Sequence, residues 1–167
     1  MEKITLKLSE FYQLEAELNG VVNQQTGETL AKGLLSEKIK LTTKYWLQDL
    51  NKKVAAEKES VEKLKEELIK KYGKEENGAI SIPLYINEVI DDETKEVTSR
   101  EVNPDFIKFQ NDFNALLQEE RDLEYRAFKL EEFEGVETEG VYNTFFKLRS
   151  EEHTSELQSP CNLVCRL

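Results

Sequence analysis

The side chains with the widest chemical repertoire sit together near the end of the chain. His153, Cys161 and Cys165 are its only histidine and its only two cysteines. A Cys or His nucleophile, a His general base or a thiolate–imidazole zinc site would have to be drawn from these three. They are too few to close a tetrahedral structural zinc site. The cysteine spacing permits a disulfide, but the loop it would close is too short to stabilise a fold. Carboxylates are the other resource: Glu75 and Glu76, then Asp91, Asp92 and Glu93, then Glu119, Glu120 and Asp122. Two or three of them could build a metal-dependent or glycosidase-like site. Each cluster falls in an expected turn or on a polar helical face, so their spacing does not favour such a site. The segment KEENG (Lys74 to Gly78) lacks the alternating carboxylates of a calcium loop and reads as a helix-to-strand turn. Residues 1–148 contain no glycine-rich phosphate loop and no Ser–His or Cys–His pair. The expectation is a protein that is not an enzyme, with no catalytic, cofactor-binding or metal-ligating residue and no cofactor.

The elements that would position such groups are those of one modest domain. The chain has 167 residues, of which 38% are hydrophobic; 23 Lys and Arg face 34 Asp and Glu, a formal net charge of -11. That length allows one core and hardly two. No apolar run approaches the roughly 20 residues of a membrane span, and the N-terminus lacks the apolar block of a secretory signal. A strongly acidic chain is repelled by phosphates, which disfavours nucleic acid as a partner. The expected partners are therefore a protein or a second copy, met through helical faces, with no nucleic acid and no membrane.

The end of the chain has a different character. The eleven residues from Arg149 to Ser159, RSEEHTSELQS, resemble the translation of a common short-read sequencing adapter. The tail through Leu167 would then be read-through, and residues 149–167 an artefactual segment, expected to be disordered and set aside from the fold. The plain alternative is an ordinary polar terminal tail. Without these residues the body, 1–148, keeps a net charge of −10 and has neither His nor Cys. A cysteine-free body fits a reducing compartment.

Within the body, Ile4, Leu6 and Leu8 alternate, and the period then changes at Ser9. Phe11, Leu14 and Leu18 predict a short helix from about Glu10 to Asn19, with Ser9 as N-cap and Gly20 as its stop. A turn is expected near Thr26–Gly27, and a helical turn between Thr29 and Leu35. Between Thr42 and Tyr72, Leu47, Val54, Val61 and Leu68 stand seven apart, with Leu50 and Leu64 at intermediate positions. That narrow stripe, interrupted by Glu57 and Lys71, predicts a helix packed in a hairpin or coiled coil, closed by Gly73. Ile80, Ile82, Leu84 and Ile86 alternate as an edge strand around Pro83. Asp91–Asp92–Glu93 supplies a turn, and KEVTSREV returns as a second strand. Asn103–Pro104–Asp105 is a helix start, and Phe106, Phe109, Phe113 and Leu116 repeat at helical spacing to about Glu120. This aromatic stripe is the expected partner of the long helix; a ligand box is its alternative. Leu123, Tyr125 and Ala127 suggest a short strand. A helical turn near Leu130–Glu134 and a final short element ending at Leu148 complete a body closed by Phe133, Val136, Val141, Phe145 and Phe146. The expected fold is α+β and mainly α. It is a single domain over 1–148, a long antiparallel helical hairpin with a small antiparallel β element and short N- and C-terminal helices.

The pieces LTTKYWLQDLNKKV, EELIKKYG, NPDFIKFQNDFNALLQEE, DLEYRAFKLEEFEGVE and FFKL, read in order, resemble small acidic proteins of tailed bacteriophages. The type occurs in phages of gut bacteria, including crAss-like ones, as a domain of unknown function. The resemblance covers most of Leu8 to Leu148 and implies no catalytic or binding residues. It implies a phage structural or assembly protein, such as a tail or neck component or an assembly chaperone, working in the host cytoplasm during infection or in the virion. The alternative is an acidic intracellular phage regulator that binds a basic host protein by mimicking nucleic acid. Lysines interleaved with glutamates along the long helix weaken that alternative.

Overall fold

In a computed structural model the chain is α+β; residues 1–76, 78–90, 97–136 and 142–148 are described. The expected turn at Asp91–Asp92–Glu93, Val141 and the whole of 149–167 lie outside these residues. Among the described residues three α-helices are joined to four two-stranded sheets.

The alternating opening forms β1 (Glu2–Lys7), which leads directly into α1 (Leu8–Asn19). The helix begins earlier than its expected Ser9 cap. The Lys7 backbone N–H donates to Glu10 Oε2 at 2.8 Å and the Leu8 N–H to the Glu119 carbonyl at 2.9 Å, so two orphan donors are satisfied without a serine. Gly20 ends α1 at φ 84°, the left-handed conformation that suits glycine. It also opens β2 (Gly20–Val22), which pairs antiparallel with β3 (Thr29–Lys32). The turn between them is set by Asn23, whose Oδ1 accepts from the backbone N–H groups of Gln25 and Thr26. The helical turn expected over Thr29–Leu35 is therefore mostly strand, with a 3-10 turn only at Leu34–Ser36. Pairing with Gly20–Val22 outweighs the weak local helical signal. Gly33 sits so close to the Asn19–Gly20 backbone that a Cβ there would collide with it.

α2 (Leu41–Tyr72) is the long helix expected from the heptad stripe, closed by Lys70, Lys71 and Gly73. Thr43, Leu47, Leu50, Val54 and Val61 are buried along it. The stripe then surfaces: Leu64 is 44% exposed and Leu68 half-buried, so the expectation that Leu64 is a core position is corrected. KEENG is not a plain turn, since its first residues form β4 (Lys74–Glu76), paired antiparallel with β5 (Ala79–Ser81). The apolar alternation from Ile80 to Ile86 is two strands. Pro83 cannot donate to a ladder, and it separates β5 from β6 (Tyr85–Ile90), which pairs with β7 (Val97–Val102). Asn87 adopts φ 53° where the β6–β7 register shifts, a conformation that Asn tolerates better than most residues.

α3 (Pro104–Gln118) starts as its sequence predicts, with Asn103 Oδ1 accepting from the Asp105 N–H at 3.0 Å and Pro104 at the first helical position. β8 (Glu120–Tyr125) pairs with β1. Leu8 meets Glu119 and Glu2 meets Tyr125, so the two strands run antiparallel. Short 3-10 helices at Leu130–Phe133 and Phe145–Leu148 end the described chain, close to where the sequence places them.

The chain forms two compact units. One comprises Met1–Thr5, Tyr12–Val54 and the chain from Asp122 onward; the other comprises Leu6–Phe11 and Ala55–Arg121. The first holds most of the buried apolar side chains: Leu14, Leu18, Leu34, Leu47, Leu50, Val54, Leu123, Tyr125, Phe128, Tyr142, Phe145 and Leu148. Inside it, Asn19 and Asn51 exchange reciprocal side-chain amide hydrogen bonds of 3.0 and 3.1 Å. In the second unit Leu6, Leu8, Phe11 and Val61 are the buried apolar residues among those described.

Candidate functional site

Among the described residues, the carboxylates singled out in the sequence lie on separate elements. Glu75 and Glu76 lie on β4, Glu119 caps α3, and Glu120 and Asp122 lie on β8. Asp122 is engaged structurally: Lys3 Nζ reaches it at 2.7 Å and the Thr5 hydroxyl donates to it at 2.7 Å, and these bonds hold its carboxyl below the usual range. Among the described residues no three His, Cys, Asp or Glu side chains come together as a metal site would require.

The first unit instead contains an apolar cavity of about 200 Å³, lined by Leu34, Leu130, Phe133, Glu134, Val136, Tyr142, Phe145 and Phe146. Two rings of its wall, Phe133 and Phe145, belong to an aromatic cluster completed by Phe128 outside the lining. The Phe128, Phe133 and Phe145 rings stand 5.3 to 5.9 Å apart, within the range of favourable edge-on and tilted pairs. Each flank is fixed by a carboxylate. Glu17 accepts backbone N–H bonds from Thr144 at 2.9 Å and Phe145 at 2.6 Å, which anchors the last 3-10 helix to α1. Glu132 receives a two-pronged Arg126 guanidinium, both bonds 2.8 Å, and the Thr43 hydroxyl at 3.0 Å. Burial pushes the Glu132 carboxyl up, but Arg126 and Thr43 outweigh it and leave the group below its ordinary value. The buried Tyr142 hydroxyl donates to the Lys32 carbonyl at 3.2 Å. Its pKa is raised, first by burial and then by the nearby Glu37 and Glu17 charges. Glu37 itself is buried; its Oε1 lies 3.6 Å from Lys32 Nζ, within ion-pair range but too long for a hydrogen bond.

The second unit presents a surface of another kind. α3 has fifteen residues and not one of them is buried. The stripe expected to form core is half-buried at Phe106, Phe109 and Phe113, while Ile107 is 44% exposed. Neighbouring rings of the stripe meet, with Phe106–Phe109 centroids 6.4 Å apart and Phe109–Phe113 5.9 Å apart, the latter pair within 7° of parallel. α2 reaches α3 through polar tips. Tyr72 Oη donates to Asp112 Oδ2 at 2.6 Å, Lys71 Nζ lies 3.3 Å from the same oxygen, and Lys65 Nζ stands 5.6 Å from the Phe113 centroid. The Tyr72 and Lys71 bonds hold the Asp112 carboxyl below its usual value. Leu64, Ile80, Leu84, Val97 and Val102 of the same unit are exposed.

The sequence marks α3 through its period, but a stripe alone does not say whether another element covers it. The cavity is harder to see. Phe128, Phe133, Tyr142 and Phe145 follow no helical or strand period, and their aromatic character is the only signal they carry. No helix among the described residues is long and apolar enough to cross a membrane. No family model, curated protein or solved structure matches the chain.

Proposed function

We propose that this chain is a non-enzymatic structural or assembly protein of a tailed phage, a tail or neck component or an assembly chaperone, that works through protein contacts. The observation that carries the contact-based part is α3, whose aromatic and aliphatic side lacks any buried residue. A helix so rich in Phe, on a unit with so few buried side chains, is suited to finish its packing against another chain. A second copy is the occupant we favour. Closed homo-oligomers are the commonest assemblies. The charges beside the stripe are also of both signs, with Lys108 bridging to Asp105 and Lys71 to Asp112, so two copies can meet without a field of like charge. In this reading the C-terminal half of α2 and α3 are the arms of an antiparallel helical hairpin, a scaffold that displays the stripe. The assignment to phage rests on the sequence resemblance, and with it the placement in the host cytoplasm during infection or in the virion.

The regulator reading, in which the acidic surface imitates nucleic acid, has less support. Glu59 and Glu62 on α2 are paired with Lys63 and Lys65, so the carboxylates do not form an uninterrupted stripe. Mass spectrometry of purified virions and of assembly intermediates tests the proposal. A tail or neck component is recovered from the particle, and a chaperone from intermediates alone. Recovery from neither, with the protein found instead on a basic host factor, overturns it.

A further inference from the structure

α1 ends on a dipeptide with a chemistry of its own. Asn19 is followed by Gly20, and glycine has no Cβ to shield its backbone nitrogen from the preceding side chain. In such a pair the Gly20 nitrogen can form a bond to Asn19 Cγ while the Cγ–Nδ2 bond breaks. The proton of the Gly20 N–H leaves with the amide group as ammonia. Water then opens the cyclic imide at either carbonyl and leaves aspartate or isoaspartate at position 19. No enzyme or cofactor is needed, and Asn19 is exposed to water and buffer base.

Two features of the first unit hold this bond back from reaction. The Asn19 amide is held at both polar atoms: Nδ2 donates to Asn51 Oδ1 at 3.0 Å, and Oδ1 accepts from Asn51 Nδ2 at 3.1 Å. Cyclisation has to swing Cγ onto the following nitrogen, and that rotation breaks both bonds. The following peptide is held as well. Gly20 pairs with Lys32 across β2 and β3, and a Cβ on Gly33 would stand 2.2 Å from the Gly20 nitrogen. The peptide group cannot turn without parting β2 from β3. Water competes for every group of an exposed amide pair, so its net contribution to stability is small. Its main effect here is on geometry.

We infer that Asn19–Gly20 is a deamidation site held closed by Asn51, and that loss of the amide pair releases it to form aspartate and isoaspartate. The products fit the fold poorly. Isoaspartate adds a methylene to the main chain beside Gly33, which already sits against this peptide. A carboxylate at position 19 accepts from Asn51 but has no proton to donate back. The reaction therefore loosens the junction of α1 with β2. This inference goes beyond the α3 proposal and stands without it.

Peptide mapping by mass spectrometry tests it on the full chain, aged in mildly alkaline buffer, with isoaspartyl methyltransferase labelling to mark isoaspartate. All chains are aged well below their thermal midpoints. A synthetic peptide with the sequence Glu17 to Val22 supplies the unrestrained rate. Asn51→Ala should deamidate Asn19 at least about tenfold faster than the wild type, a rate ratio equivalent to about 1.4 kcal/mol. Asn51→Asp still accepts from Asn19 Nδ2 and should fall between the two. Leu148→Ala removes a buried side chain from another element and should stay near the wild-type rate. The inference is overturned if wild-type Asn19 reacts as fast as the peptide, or if Asn51→Ala reacts no faster than the wild type. It is also overturned if Leu148→Ala accelerates the reaction as much as Asn51→Ala does.

Discussion

Leu47 and Leu64 share one helix and one apolar stripe, and they differ by what covers them. Leu47 is fully buried in the first unit, whereas Leu64 is 44% exposed in the second. Truncating Leu47 removes transfer energy and leaves a cavity, so Leu47→Ala should cost about 2–5 kcal/mol. Leu64→Ala should cost under about 1 kcal/mol, because its side chain already meets water. Urea unfolding of both variants checks the pair, and equal losses would show that exposure does not separate them. Glu132 illustrates the polar counterpart. Its carboxyl is held below the ordinary value of 4.5 in the folded chain, so its ionised form contributes stability that is fully present above that value and is lost as pH falls through the depressed one. Thermal midpoints of the wild type and Glu132→Gln should therefore differ most near neutral pH and converge as pH drops below 4.5. A gap that widens in acid would reverse the sign of the linkage.

Asn103 connects its own cap to the chain before it. Its Oδ1 accepts from Asp105 N–H, its Nδ2 donates to the Pro83 carbonyl at 2.9 Å, and its backbone N–H donates to the Leu84 carbonyl at 2.9 Å. Asn103→Ala keeps only the last of these bonds and should cost about 1–2 kcal/mol, seen as faster hydrogen exchange over the first turn of α3. Unchanged exchange there would show that the cap is dispensable. This helix start was legible in the sequence because Asn–Pro–Asp satisfies local rules that need no tertiary partner. α2 and the Asn23–Gly27 turn were legible for the same reason. What local rules could not supply was pairing and cover. Thr29–Lys32 becomes strand because Gly20–Val22 lies beside it, and Lys74–Glu76 because Ala79–Ser81 does. Pro83 splits one apparent strand in two. The Phe stripe of α3 has the period of a buried face, yet burial depends on a neighbour that periodicity cannot name. The cavity was the least legible part, since its aromatic lining is gathered by turns and not by a repeat.

For the whole chain, residues 149–167 are read as adapter-derived, so removing everything after Leu148 should leave the thermal midpoint nearly unchanged; a large drop would show that those residues fold with the body. The proposed mode of action then rests on α3 meeting a second copy. Sedimentation velocity over a range of protein concentrations, on the wild type and on Ile107→Asp, is the most direct test. Self-association through α3 predicts a wild-type coefficient that rises with concentration and an Ile107→Asp chain that stays monomeric with its thermal midpoint preserved. A wild type that remains monomeric throughout, or a variant that associates just as strongly, would contradict it.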